Sequence, residues 1–251
     1  MLTATSKKLQ IQQTLQNLKE VIGNITELSE PEFNETIQLW HEVVDELKDT
    51  VFDSRNGLSR SEYELGWGGQ STLFAIDCIP HFHRILKKYY NRKDDLSFLD
   101  VGGGSGAGAN VFALIHSDRF VYSKLKIDII DYVPLRKRWI QSVYPNVNYT
   151  VGDIYDIVDQ QWDFVFCSHV IEHVLNPKKF CQQLTKICKG FAFIYAPYNE
   201  IERISCHRNT ITEDLFHGFN LDSLKVLKSM GWHADRPEDK CILAIVNCKE
   251  S

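Results

Sequence analysis

The feature that most constrains this chain is a change of texture at Leu96. From there, short β-rich runs (LSFLDV, LKIDII, VNYTV, WDFVFC, FAFIYA and CILAIV) alternate with helical stretches near 105–116, 134–143, 177–188 and 221–230. Strand alternating with helix implies crossover units, so the pattern predicts an α/β fold with a doubly wound, mostly parallel sheet, Rossmann-like in layout. WDFVFC and FAFIYA are nearly continuous in apolar character, as expected of strands covered on both faces.

The preceding part of the chain reads helical. Ile11, Leu15, Leu18 and Ile22 recur at helical spacing. Ser29 and Glu32 form a capping box with Pro31 in the first turn, and the stripe Phe33, Ile37, Trp40, Val44, Leu47, Val51 follows. A further helix is expected to start near Ser71 and to kink or stop at Pro80. The division predicted is an N-terminal helical cap over 1–90 and an α/β domain over 91–251. Residues from about 30 to 70, including the Gly66-Trp67-Gly68-Gly69 run, are expected to fold over the cleft as a lid.

The first β-run ends in Asp100-Val101-Gly102-Gly103-Gly104-Ser105-Gly106 and leads into a helix. Glycine admits positive φ and lets a ligand approach the backbone, and the carboxyl edge of such a sheet is where ligands bind. The spacing alone is ambiguous, because Gly102-x-Gly104-x-x-Ala107 also satisfies the dinucleotide fingerprint of an NAD-dependent oxidoreductase. Acidic residues separate the readings. Asp100 precedes the glycines, Asp131 closes the second run, and Asp153 follows the third. Carboxylates at successive strand ends suit a cationic sulfonium nucleoside and repel a diphosphate. Asp128 rivals Asp131 for the second position.

These residues resemble the class I S-adenosylmethionine-dependent methyltransferase family, in its small-molecule branch. Asp100 to Gly106 matches the family's D/E-x-G-x-G-x-G motif at each fixed position. Phe164 to Val174, with Glu172-His173-Val174, resembles its fourth-strand segment, Lys189 to Pro197 its fifth strand, and Leu221 to Trp232 its late helix ending in glycine plus an aromatic. The gap between Asp100 and Asp131 is longer than is usual there, with an insertion expected around Ser117 to Lys124.

The resemblance implies S-adenosyl-L-methionine as cofactor. It implies that Asp100, Gly102, Gly103, Gly104 and Gly106 contact the methionine part, that Asp131 and Tyr132 take the ribose, that Asp153 and Ile154 hold the adenine, and that Ser168 and His169 line the methyl side. Methyl transfer is an in-line displacement in which alignment is the protein's main contribution. A hydroxyl acceptor also needs a base near neutrality, for which His169, His217, His207 and His173 are the candidates in that order. Tyr63, Trp67, Tyr195 and Tyr198 could shape an acceptor pocket.

Cys167-Ser168-His169-Val170 stands where nucleic-acid base methylases carry N/D-P-P-Y, which argues against base methylation. The net charge of −5 fits no dedicated nucleic-acid partner, and the basic runs Arg84 to Lys93 and Arg136 to Arg138 read as solvated faces. No apolar stretch is long enough to span a membrane, and the N-terminus lacks the apolar core of a signal peptide. The 7 cysteines include no C-x-x-C pair, which predicts no metal site and reduced thiols in a cytoplasmic protein. His81-x-His83 reads as a helix surface. The expected activity is methylation of a small-molecule acceptor, most simply at oxygen, with N-methylation and the oxidoreductase as alternatives.

Overall fold

A computed structural model describes residues 60–91, 94–116, 123–204, 206–232 and 239–249. The chain divides into two units, Met1–Glu64 and Leu65–Ser251, and the second carries the whole sheet. The stripes at 11–22 and 33–51, most of the expected lid, and the insertion at 117–122 lie outside the described residues, as do the side chains of Tyr63 and Trp67.

Helix α1 (Arg60–Tyr89) leads into β1 (Asp95–Val101), α2 (Ala107–Ile115), β2 (Lys124–Asp131), α3 (Pro134–Val143), β3 (Val147–Val151), β4 (Trp162–Ser168), α4 (Pro177–Lys186), β5 (Cys188–Tyr198), β6 (Leu221–Leu227) and β7 (Lys240–Asn247). The strands form one sheet in the order β3-β2-β1-β4-β5-β7-β6. The first five run parallel to their neighbours, β7 is antiparallel to β5, and β6 is antiparallel to β7. The order reverses between β1 and β4, which makes the carboxyl ends of those strands the switch point of the fold.

Side chains of successive strand residues point to opposite faces, so each central strand feeds two cores. Phe98, Ile127, Ile129, Phe164, Phe166, Phe191 and Phe193 pack with Phe74, Phe82 and Ile85 of α1, Phe112 of α2 and Ile140 of α3. Leu99, Val101, Val165, Cys167, Ala192 and Ile194 pack with Phe180, Cys181 and Leu184 of α4 on the other face. Burial on both faces is the reason these runs show no alternation of apolar and polar residues.

Two segments depart from the sequence reading. Helix α1 begins before Ser71 and runs through Pro80 without stopping. Pro80 lies on the exposed side, while Phe74, Ala75, Cys78, Phe82, Ile85 and Leu86 are buried. Burying side chains of this size, at roughly 1.5–3 kcal/mol for each large one, outweighs about 3 kcal/mol for an interior proline. The late helix expected over 221–230 is instead strand β6, paired along the edge of β7 from Leu221↔Val246 to Leu227↔Cys241. Leu221, Leu224 and Leu227 fit a helical stripe, but helix and strand cannot be told apart over so short a window. The open edge of β7 and the fixing of Asp222 decide it. Asp222 accepts hydrogen bonds from Arg84 Nη2 at 2.5 Å, Tyr89 Oη at 2.9 Å and Lys88 Nζ at 3.2 Å. Part of the basic run from Arg84 therefore serves the fold. No helix among the described residues is long and apolar enough to cross a membrane.

Candidate active site

The glycine loop leaves β1 at the switch point. Gly102, Gly104 and Gly106 adopt φ of 70°, 54° and 76°, in the left-handed region. The loop is closed by Gly106 N–H donating to Gly103 O at 2.8 Å and tied to the sheet by Gly102 N–H donating to Ile130 O at 2.8 Å. Its members play different parts. A Cβ on Gly103 would lie 2.7 Å from Ile129 Cγ2 and 2.9 Å from Asp100 Oδ2, so Gly103 is glycine because the sheet lies against it. A Cβ on Gly104 would meet nothing nearer than 3.9 Å, so this residue presents bare backbone to open space. A small-molecule cofactor can lie against that backbone.

Asp131, at the end of β2, faces the loop. Its Oδ2 accepts from Gly104 N–H at 2.9 Å and its Oδ1 from Val133 N–H at 3.2 Å, with Arg136 Nη1 3.5 Å from Oδ2. Tyr132 follows it in the turn, half-buried. Asp128 is placed differently. Trp162 Nε1 donates to its Oδ2 at 2.8 Å and Asn148 Nδ2 to its Oδ1 at 2.9 Å, so it is bonded to side chains of β4 and β3 and not to the glycine loop. Asp153 Oδ1 accepts from Tyr155 N–H at 3.0 Å, capping the short turn that Ile154 buries.

Asp100 is 4% exposed. Burial, and to a smaller extent the charge of Asp131, pushes its carboxyl up to about 8. A cation beside it would reverse that shift. On β4, Cys167 pairs with Val101, so Ser168 ends its strand level with the start of the loop. Ser168 Oγ is buried with no hydrogen-bond partner, an orphaned group of the kind a ligand satisfies. A buried carboxyl, an orphaned hydroxyl and an open glycine surface together fit a cationic nucleoside better than a diphosphate.

His169 follows Ser168 with φ 54°, a left-handed conformation unusual for a residue with a Cβ. Its N–H donates to Tyr195 O at 2.8 Å. Its ring lies on Phe74 of α1, 5.6 Å from the Tyr195 ring and 5.1 Å from the Trp232 ring. Nδ1 is 3.5 Å from Glu172 Oε1, and Nε2 is 3.6 Å from Cys241 Sγ. Glu172 is fully buried and its carboxyl oxygens have no hydrogen-bond partner; burial pushes it up to about 8. Tyr195 Oη donates to Asp77 Oδ2 at 3.0 Å, and Ser229 Oγ to the same oxygen at 2.6 Å, which joins α1, β5 and the turn carrying Trp232.

The other sequence candidates divide. His173 and His207 come together, with ring centroids 4.8 Å apart, and the His207 ring stacks on Trp232 at 5.5 Å. His217 is 78% exposed beside Asp214 and stands apart from this cluster. Tyr198 Oη donates to Glu213 at 2.8 Å. His81 and His83 lie half-buried on α1, and His83 Nε2 is 3.3 Å from His116 Nε2. Phe74, Trp232 and Cys241 join the site without a sequence signal for that role. Nothing local marks them, since their role depends on α1, the turn after β6 and β7 converging on one strand end. A groove of about 1050 Å³ opens at the opposite, amino edge of the strands, where Lys189 Nζ pairs with Asp163 at 3.3 Å. It lies away from the switch point.

Residues 99–195 match a family described as a methyltransferase domain. A ubiquinone biosynthesis O-methyltransferase of Rickettsia bellii is 32% identical over 112 residues, 43% of this chain and 45% of the relative. The chain thus spans about half the length of the curated relatives it matches. Among solved structures, magnesium protoporphyrin IX methyltransferase of Synechocystis with bound SAH superposes with a TM-score of 0.52 at 14% identity, over 82% of this chain and 99% of that one. A plantazolicin methyltransferase in complex with a substrate analogue and SAH gives a TM-score of 0.53 at 12% identity, over 85% and 98%. At such identities the likeness is one of fold.

Proposed function

We propose, from the premise that the chain belongs through residues 99–195 to the class I S-adenosylmethionine-dependent methyltransferase family, that it transfers a methyl group to an oxygen of a small-molecule acceptor. When bound, the cofactor supplies a methyl group already activated by a positive sulfur. The chain's own residues then have three tasks: to hold that cation, to aim the acceptor, and to take the acceptor's proton.

For the first task, Gly104 offers open backbone, Asp131 stands ready for vicinal hydroxyls, and the buried Asp100 answers positive charge. A diphosphate at the same loop would meet two carboxyls, which weighs against the oxidoreductase alternative. For the second, the rings of Phe74, Trp232 and Tyr195 pack around His169, an aromatic wall suited to a planar or unsaturated acceptor.

The observation that carries the oxygen assignment is the position of His169, one residue beyond Ser168 and beside the Glu172 carboxyl at 3.5 Å. An imidazole so placed takes a hydroxyl proton as the new bond forms, and the stack on Phe74 holds its ring. An amine acceptor, already nucleophilic when neutral, has less need of such a base. The name of the Rickettsia bellii relative agrees with acceptance at oxygen. A cytoplasmic location is part of the same proposal.

The test is acceptor-dependent formation of S-adenosylhomocysteine from the purified full chain, screened against phenols, other hydroxylated metabolites and amines. Turnover with a hydroxylated acceptor, lost in His169→Asn while the cofactor still binds, is the expected result. Turnover with amines only, insensitive to His169→Asn, would move the assignment to nitrogen.

A further inference from the structure

The turn after β4 and the loop after β5 bring His173, Cys206 and His207 together. We propose that these three side chains bind one divalent transition-metal ion of the zinc class. One ligand atom from each lies within 4.8 Å of the others. Tetrahedral zinc with bonds of about 2.0–2.3 Å needs its ligands roughly 3.5 Å apart, so the three have only about an ångström to close.

The orientation of both rings supports this. His207 Nδ1 is held by Glu200 Oε2 at 2.6 Å, and His173 Nδ1 by the Cys206 carbonyl oxygen at 3.0 Å. A carboxylate on one ring and a carbonyl on the other are the partners that fix metal-binding histidines, and they orient both rings here. The backbone holds the two segments in register. Arg208 N–H and Asn209 N–H both donate to Glu172 O, at 2.8 and 3.0 Å, and Asn209 Nδ2 donates to Val174 O at 2.6 Å.

Charge points the same way. Glu172 Oε1 lies 3.7 Å from His173 Nε2, and both carboxyl oxygens of this fully buried residue lack a hydrogen-bond partner. A cation in the cluster would meet the Glu200 carboxylate through His207 and the unpartnered Glu172 carboxyl beside His173. Two imidazoles and a thiol select a borderline or soft ion over magnesium or calcium, which prefer oxygen ligands. With three protein ligands, one coordination position stays open. The site adjoins His169 through Trp232, which stacks on His207 and contacts His169, but metal binding does not depend on the methyl-transfer reading.

Cobalt(II) is the probe, because a cysteine ligand gives it a near-ultraviolet charge-transfer band and a tetrahedral field gives strong visible bands. The metal-free full chain should bind one equivalent of cobalt with both signatures, and zinc should displace it. Cys206 is exposed, whereas the other cysteines are buried, so Cys206→Ser is a mild change. It should abolish the charge-transfer band and weaken binding about 100-fold, while the metal-free melting temperature holds. His207→Gln should weaken binding similarly, and Cys181→Ser, in the core beneath α4, should bind as the parent does. Absence of the charge-transfer band in the parent, or its persistence in Cys206→Ser, would overturn the proposal.

Discussion

The ring of His169 lies flat on the ring of Phe74, with centroids 3.7 Å apart and planes 6° from parallel. One comes from the end of β4 and the other from α1, nearly a hundred residues earlier. The stack fixes the ring that is proposed to take the acceptor's proton. His169→Asn is expected to lower kcat by roughly 10²- to 10⁴-fold and to remove the acidic limb of the pH–rate profile, with the cofactor still bound. Phe74→Leu should keep the base but loosen it, lowering kcat less and raising acceptor KM. An unchanged kcat for both would refute the role of this pair.

Asp131 and Asp128 lie on the same strand but have different work. Asp131→Ala should weaken cofactor binding about ten-fold or more, through loss of a charged hydrogen-bond acceptor worth roughly 1.5–3 kcal/mol. Asp128→Ala should leave affinity near normal but lower thermal stability, because the Trp162 and Asn148 donors lose their acceptor. Calorimetric titration and melting curves on the two variants separate these effects. If Asp128→Ala proves to be the variant that damages binding, the ribose assignment is wrong.

Asp100 sets a pH dependence whose sign follows from its environment. Burial, aided by Asp131, raises it from 3.8 to about 8, so the free protein holds it neutral at pH 7. A cationic cofactor favours the ionised form, and binding must then release a proton. Affinity should therefore rise as pH increases toward 8, by at most about ten-fold per unit, and level off above it. Stability without cofactor runs the other way: it falls as pH rises from 3.8 to about 8, where the unfolded chain ionises this carboxyl and the folded one does not, and levels off above that. Asp100→Asn should flatten both curves, and a cofactor affinity independent of pH in the parent would contradict the assignment.

Gly103 and Gly104 should respond differently to the same change. Gly103→Ala drives a methyl group into Ile129 and the Asp100 carboxyl, so the melting temperature should fall. Gly104→Val has room for its side chain but must hold φ at 54° and covers the open backbone, so cofactor binding should be lost from a protein that still folds. Isothermal titration of folded Gly104→Val showing parental affinity would remove this loop from the cofactor site.

The parallel core and the loop it carries are legible in the residues alone. Phe98, Phe164 and Phe193 alternate with Leu99, Val165 and Ile194, and runs apolar at both parities are stable only where both faces are covered. The glycines after Asp100 were equally legible, because a backbone at positive φ excludes most side chains within the residue itself. Tertiary structure decided the rest. Whether Leu221–Leu227 is helix or strand depended on the free edge of β7, and whether α1 survives Pro80 depended on what its buried face meets. The approach of His173 to Cys206 and His207, with no ligand spacing to announce it, depended on two loops tied through the Glu172 carbonyl. Local sequence governs only what a residue can do with its nearest neighbours along the chain. Which distant groups it meets is settled by packing, where a buried edge or carboxyl takes whichever partner the fold delivers.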